Sequence, residues 1–154
     1  MNKTKTLIGT NLGENIKEEF LNAKKSILIS TPAISLSIWE IIFKILKKDI
    51  KIKIITSEKG GSDSEKTNQI ATKLINEQNG KFSNLLEYKI IKKSNFEVVH
   101  PKIYIIDEKT AIVGSANLTE NGFYNFVEFI EIFKEKSYVD TIKDDFNKLW
   151  QLLE

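Results

Sequence analysis

The only histidine of the chain, His100, lies two residues before Lys102, with Pro101 between them. On an extended strand, residues two apart place their side chains on the same face of the sheet. We therefore expect an imidazole beside an ammonium. This pair suits an anionic substrate, because the lysine binds negative charge and favours the neutral, nucleophilic form of the ring. Pro101 lacks an N–H donor, so a strand start or a bulge is expected there.

A second polar segment, Gly114-Ser115-Ala116-Asn117, follows the next apolar run. The glycine allows close backbone approach, and the serine hydroxyl and asparagine amide can donate hydrogen bonds to phosphate oxygens. Two adjacent strands would then offer one nucleophile or base, one cation and two neutral donors. This set fits a phosphoryl-transfer site that works without a metal or another cofactor.

The composition excludes several other kinds of site. The 154 residues include no cysteine and one histidine, which excludes disulfides, thiolate metal sites, a cysteine nucleophile and a histidine-rich metal site within one copy. All 23 basic residues are lysines against 21 acidic residues, and the net charge of +2 is too even to identify a nucleic-acid partner. Phosphate contacts must therefore use lysine, a point charge, and not the planar fork of arginine.

The elements that must position these residues alternate between strands and helices. Strand patterns cover Lys5–Gly9, Ser26–Ser30, 49–56, 86–92, 98–106, 109–113 and 126–133. Helical patterns cover 15–24, 36–47, 64–78 and a last helix from 137, where Ser137 and Asp140 resemble a capping box. The alternation predicts an α/β fold with a mixed central β-sheet flanked by helices on both faces.

No targeting or membrane segment is evident in the sequence. The N-terminal apolar stretch is too short for a signal peptide, and the longest apolar-rich segment, 34–46, contains charges and falls short of a membrane span. We therefore expect a cytoplasmic protein without stable membrane association.

The spacing His-x-Lys-x4-Asp-x6-Gly-Ser-x-Asn resembles the signature of the phospholipase D superfamily. Its six fixed positions, spread over 18 residues, are His100, Lys102, Asp107, Gly114, Ser115 and Asn117. The segments 26–32 and 111–119 also resemble strands of the family, and Glu128 corresponds to its distal glutamate. The resemblance covers nearly the whole chain and implies a single phospholipase D-like catalytic domain over residues 1–154.

The resemblance also implies a role for each matched residue. His100 would attack the phosphorus and form a phosphohistidine intermediate, while Lys102 and Asn117 would bind the non-bridging oxygens. Ser115 would support the phosphate or the intermediate. Glu128 would hydrogen-bond His100 and fix its tautomer, as a buried carboxylate does in a catalytic triad.

Two further positions are less directly tied to the reaction. Asp107 belongs to the motif, but it follows the strand in a turn, so we expect a structural role for it. Family members often carry an asparagine two residues before the glutamate. Here that position is Phe126, and Asn125 lies one residue earlier, so the sequence leaves open whether Asn125 reaches the site.

In-line displacement at phosphorus needs a nucleophile on one side and a proton donor on the other. One histidine cannot serve both roles, so we expect a symmetric homodimer in which two His100 side chains face one phosphate. Their titrations would be coupled, and the pH profile would be bell-shaped. Single-motif members of this size resemble metal-independent endonucleases, so the expected activity is cleavage of DNA through a phosphohistidine. Phosphate contacts from lysine alone predict salt-sensitive binding with little sequence specificity.

Two alternatives remain open at this point. The chain could be a phospholipase D or phosphatidyl transferase that acts on phospholipids. It could also be a nucleic-acid-binding or nuclease module of a larger restriction or repair system. The sequence does not distinguish DNA from RNA.

Overall fold

Seven strands form one mixed sheet in the computed structural model, which describes residues 4–77, 80–92 and 99–153. The strands are β1 (Lys5–Gly9), β2 (Ser26–Ser30), β3 (Lys51–Ser57), β4 (Leu86–Ile91), β5 (Lys102–Ile106), β6 (Thr110–Gly114) and β7 (Glu128–Phe133). The helices are α1 (Gly13–Leu21), α2 (Leu36–Leu46), α3 (Ser64–Asn76) and α4 (Lys136–Leu152), and a π-helical turn covers Asn121–Asn125. The strand order is β1-β7-β6-β5-β2-β3-β4, with β2, β3 and β4 parallel and the other pairs antiparallel.

Apolar side chains fill both faces of this sheet. The larger cluster includes residues of α1, α2 and α3, among them Phe20, Ile42 and Ala71. The smaller cluster lies under α4, whose Val139 and Phe146 are fully buried. Helices therefore cover both faces, and the predicted α/β architecture with a mixed sheet is confirmed. No helix among the described residues is long and apolar enough to cross a membrane.

Several predicted boundaries were wrong. The strand predicted over 98–106 begins only at Lys102, because Pro101 has no N–H for the ladder. The strand predicted from 126 begins at Glu128, since the unpredicted π-helical turn occupies the residues before it. Helix α3 ends at Asn76, and its predicted stop signal at 79 lies outside the described residues.

The predicted capping box of the last helix is also wrong. Helix α4 begins at Lys136 with Glu135 as its N-cap, and the cap makes no side-chain hydrogen bond. Ser137 lies inside the first turn, and its hydroxyl donates to the Glu135 carboxylate at 3.2 Å.

The strand directions bring the polar segments to one edge of the sheet. The parallel strands β2 and β3 end there at Ser30 and Ser57, and the antiparallel neighbour β5 begins there. Because β5, β6 and β7 are successively antiparallel, the end of β6 and the start of β7 also lie at this edge. Here Lys102 pairs with Gly114, and Gly114 pairs with Ile130. Residues far apart in sequence therefore converge on this edge, which we call the site edge.

Candidate active site

His100 precedes β5 and is held in place by its neighbours' backbone. The Val99 N–H donates to Ser57 Oγ at 2.7 Å, and Ser30 Oγ donates to the Pro101 carbonyl oxygen at 2.9 Å. Both serines are buried at the ends of their strands. The backbone on each side of His100 is thereby tied to the sheet, while His100 itself is exposed.

The Lys102 ammonium lies against the imidazole of His100. Its Nζ is 3.0 Å from Nδ1 and 3.3 Å from Nε2. A ring nitrogen accepts a hydrogen bond from this ammonium only when that nitrogen carries no proton. The contact does not arise from a shared strand face, as the sequence suggested, because His100 lies outside β5. Burial lowers the pKa of Lys102, and the negative charge of Glu128 opposes this shift by raising the pKa.

Ser115 and Glu128 form a hydrogen-bonded pair across β6 and β7. Ser115 Oγ donates a hydrogen bond to Glu128 Oε2 and accepts one from the Phe129 N–H at 2.9 Å. This close approach requires Gly114, since a Cβ there would lie 2.1 Å from the Phe129 carbonyl oxygen. In the described structure Glu128 is thus hydrogen-bonded to Ser115 and not to His100, unlike the arrangement that the resemblance implies.

Asn117 lies in the loop after β6, and buried hydroxyls hold that loop at its backbone. Tyr104 Oη donates to the Ala116 carbonyl oxygen at 2.6 Å, and Thr31 Oγ1 accepts the Leu118 N–H at 3.2 Å. Burial raises the pKa of Tyr104, so its hydroxyl stays protonated and remains a donor. Gly122 of the π-helical turn packs on the same loop, where a Cβ would lie 2.5 Å from the Asn117 carbonyl oxygen.

Asp107 is the one motif residue that does not lie at the site edge. It follows the opposite end of β5, where its carboxylate accepts the backbone N–H groups of Lys24, Lys25 and Ser26 at 2.7–3.1 Å. This contact joins the turn after β5 to the segment before β2. Asp107 was one of the candidate catalytic residues, although its position in a turn suggested a structural role. Its backbone contacts fit that structural role.

Asn125 lies in the π-helical turn. Its side-chain amide donates to Asn121 Oδ1 at 2.8 Å, so its observed hydrogen bond is internal to the turn.

The sequence analysis missed the hydroxyl residues that position the site: Ser30, Thr31, Ser57 and Tyr104. Three of them were visible as polar residues at the ends of apolar strands, in Ser30-Thr31 and Thr56-Ser57. Their buried state and their partners depend on strand order, which the sequence alone does not give. Among the described residues, no group of three or more His, Cys, Asp or Glu side chains could hold a metal ion.

A family model described as "Cardiolipin synthase, PLD-like domain" matches residues 16–150, which is most of the chain. The chain belongs to the phospholipase D superfamily. The predicted family is thereby confirmed, and with it the coarse statement that the chain is a phosphodiesterase-type member of this superfamily. A comparison with curated protein sequences gave no match.

Solved structures show how widely this phospholipase D-like fold is used. Nuc from Salmonella typhimurium, a phospholipase D family member, is 18% identical with a TM-score of 0.73, over 97% of this chain and 95% of that one. TrmBL2, an archaeal chromatin protein with a novel mode of DNA binding, is 19% identical with a TM-score of 0.68, over 98% and 53%. A phosphatidylserine synthase from Haemophilus influenzae Rd KW20 is 16% identical with a TM-score of 0.76, over 96% and 38%. At these identities the similarities establish the fold.

Proposed function

We propose that this protein is a metal-independent endonuclease that cleaves DNA through a covalent phosphohistidine at His100. The observation that carries the proposal is the contact between the His100 ring and the Lys102 ammonium, at the same sheet edge as Ser115 and Asn117. In the proposed reaction a neutral nitrogen of His100 attacks the phosphorus. Lys102 and the Asn117 amide stabilise the charge on the non-bridging oxygens.

The remaining side chains have supporting roles in this proposal. Ser115, held by Glu128 and by the Phe129 backbone, is fixed in one orientation beside the phosphate. Glu128 also supplies the negative charge that helps to keep Lys102 protonated. Asp107 and the four buried hydroxyl groups position the backbone and do not touch the substrate.

The two proton transfers of the reaction support a site shared between two copies. When the P–N bond forms, the leaving oxygen needs a proton, and water must later lose a proton as it displaces the histidine. One imidazole cannot attack and protonate at once, so we propose that the partner copy's imidazolium protonates the leaving oxygen. The resulting neutral ring then accepts the proton of the attacking water.

An exposed apolar surface next to the site edge is consistent with such a partner. Ile8 is 77% exposed and pairs with Phe129, which is 40% exposed, and Val127 nearby is 71% exposed. Val127 and Phe129 are the chain neighbours of Glu128, the first residue of β7, and Ile8 lies on the adjacent strand β1. Clustered apolar side chains at a surface are typical of protein contacts, and here a second copy would cover them while completing the site.

DNA is our proposed substrate, and phospholipid is the main competitor. TrmBL2, whose fold this chain shares, is an archaeal chromatin protein with a novel mode of DNA binding, whereas another protein of similar fold is a phosphatidylserine synthase. Supercoiled plasmid and phosphatidylethanolamine vesicles should be compared at equal phosphodiester concentration. We expect plasmid cleavage with no release of headgroup. Vesicle hydrolysis without plasmid cleavage would overturn the nuclease assignment, and plasmid binding without cleavage would favour a non-catalytic module of a larger system.

A further inference from the structure

A recess of about 300 Å³ lies next to Asn117, between the start of α2, the loop 60–63 and the π-helical turn. Its wall contains the buried apolar residues Ala33 and Ile34, together with the carboxylates of Asp63 and Glu120. No lysine lines it. Because a phosphate would be repelled by the two carboxylates, the recess is suited to a group that donates hydrogen bonds.

The acceptors in this recess have capacity left for a ligand. Asp63 Oδ2 accepts the Leu36 N–H at 3.0 Å, which leaves Oδ1 without a protein donor among the described residues. Asn117 Oδ1 is buried and likewise has no hydrogen-bond partner in the described structure. A buried oxygen without a partner, such as Asn117 Oδ1, is uncommon in folded proteins, because it has lost its hydrogen bonds to water. A ligand with N–H donors would satisfy this oxygen and would also reach the partly exposed carboxylate of Asp63.

Phe126 adds an aromatic surface to the same recess. It lines the recess and is 57% exposed, although a phenylalanine ring is normally buried. It lies two residues before Glu128, at the end of the π-helical turn. Exposed aromatic rings beside phosphate-binding residues are typical stacking surfaces for unpaired bases.

We infer that the recess binds one unpaired nucleobase next to the scissile phosphate. Phe126 stacks on the base, and Asp63 and Glu120 accept hydrogen bonds from its exocyclic amino group. This inference rests on the proposed nuclease function, since Asn117 would bind the phosphate of the same strand. The volume is at the lower end of ligand sites and admits one base but not a duplex. Thymine has no amino group, so the recess favours cytosine over thymine, and it favours single strands over duplexes.

The test uses short single-stranded oligonucleotides with one cleavable phosphodiester, the other linkages being methylphosphonates. The nucleotide next to the cleavable bond is cytosine, thymine or an abasic residue. We expect wild type to cleave the cytosine substrate about tenfold more efficiently than the abasic one, mainly through a lower KM. Phe126→Ala should abolish that ratio, Phe126→Trp should retain it, and Glu120→Gln should reduce the preference for cytosine over thymine.

Tyr138→Ala is the matched control, because Tyr138 is also an exposed aromatic residue (54%) but lies on α4 outside the recess. It should retain the wild-type ratios. Equal cleavage of all three substrates by wild type, or an unchanged ratio in Phe126→Ala, would overturn the base site while leaving the nuclease proposal intact. Failure of an enzyme preparation that nicks plasmid to cleave any of the oligonucleotides would overturn the base site alone, whereas failure on plasmid as well would overturn both proposals.

Discussion

At the scale of single residues, two carboxylates near the motif have different surroundings. Asp107 accepts backbone N–H groups far from the site edge, whereas Glu128 is hydrogen-bonded to Ser115 and acts electrostatically on Lys102. Asp107 belongs to the six-position pattern and Glu128 is matched by the wider family resemblance, so the resemblance alone does not separate a structural carboxylate from one at the site. Their hydrogen-bond partners do.

Glu128→Gln tests the electrostatic part of this account. Burial lowers the pKa of Lys102 and the Glu128 charge raises it, so removing that charge lets the pKa fall further. Lys102 must be protonated to bind phosphate, and in the variant it loses its proton at a lower pH. We therefore expect the NMR titration profile of the Lys102 ammonium to move to lower pH in the variant.

Glu131→Gln is the control for this variant, because Glu131 is also on β7 and pairs with Thr6 and Val113, away from the start of the strand. Its profile should match that of wild type. A Lys102 titration that is unchanged or moves to higher pH in Glu128→Gln would contradict the proposed link between Glu128 and Lys102.

At the scale of elements, the turn between β5 and β6 is fixed by the Asp107 carboxylate. Asp107→Ala leaves the N–H groups of Lys24, Lys25 and Ser26 without this acceptor. Hydrogen bonds to a charged group are stronger than neutral ones, so we expect the free energy of unfolding to fall by roughly 1.5–3 kcal/mol. Because the turn is remote from the site edge, kcat of the folded variant should stay near the wild-type value. Urea denaturation and plasmid cleavage at low temperature would measure the two effects.

Glu108→Ala provides the matched control. Both Asp107 and Glu108 have positive φ angles, 55° and 56°, so each substitution places alanine in the same backbone region. The exposed side chain of Glu108 forms an ion pair with Lys143 at 3.5 Å, and such surface pairs contribute about 1 kcal/mol or less. If the two variants lost equal stability, the backbone conformation and not the hydrogen bonds would be responsible.

Most elements could be predicted because their apolar patterns are strong. The alternation of lysine and isoleucine in β3 and the apolar run of β2 indicate strands directly. The π-helical turn could not be predicted, because tertiary contacts bury its residues. Gly122 packs against the backbone of Asn117, and Phe123 packs against Gly13, which is far away in the sequence. The start of β7 was wrong for the same reason.

The candidate site was only partly accessible to sequence reasoning. The motif indicates which residues can do the chemistry, and the spacing of His100 and Lys102 indicates that they are close. The pairing of Ser115 with Glu128 depends on the register of β6 and β7, in which Gly114 lies opposite Ile130. The serines that hold the backbone of Val99 and Pro101 depend on the neighbours of β2 and β3, which are set by long-range pairing.

At the scale of the whole molecule, each copy would contribute one imidazole to a reaction that needs two. The exposed Ile8 and Val127 lie next to the start of β7. The surface proposed for the partner therefore adjoins the site to which the partner would bring its imidazole. An assembly of this kind makes activity depend on the number of intact copies in each dimer. If each copy had an independent site, activity would depend only on the total number of intact copies and not on how they are paired.

The most direct test is plasmid nicking in EDTA by wild type, by His100→Ala and by refolded mixtures of the two at fixed total protein. We predict nicking by wild type, none by His100→Ala, and activity that falls as the square of the wild-type fraction, to about one quarter in an equal mixture, since only dimers with two histidines react. Nicking by His100→Ala, or loss of wild-type activity in EDTA, would contradict the proposed chemistry. A linear decrease would contradict the shared site.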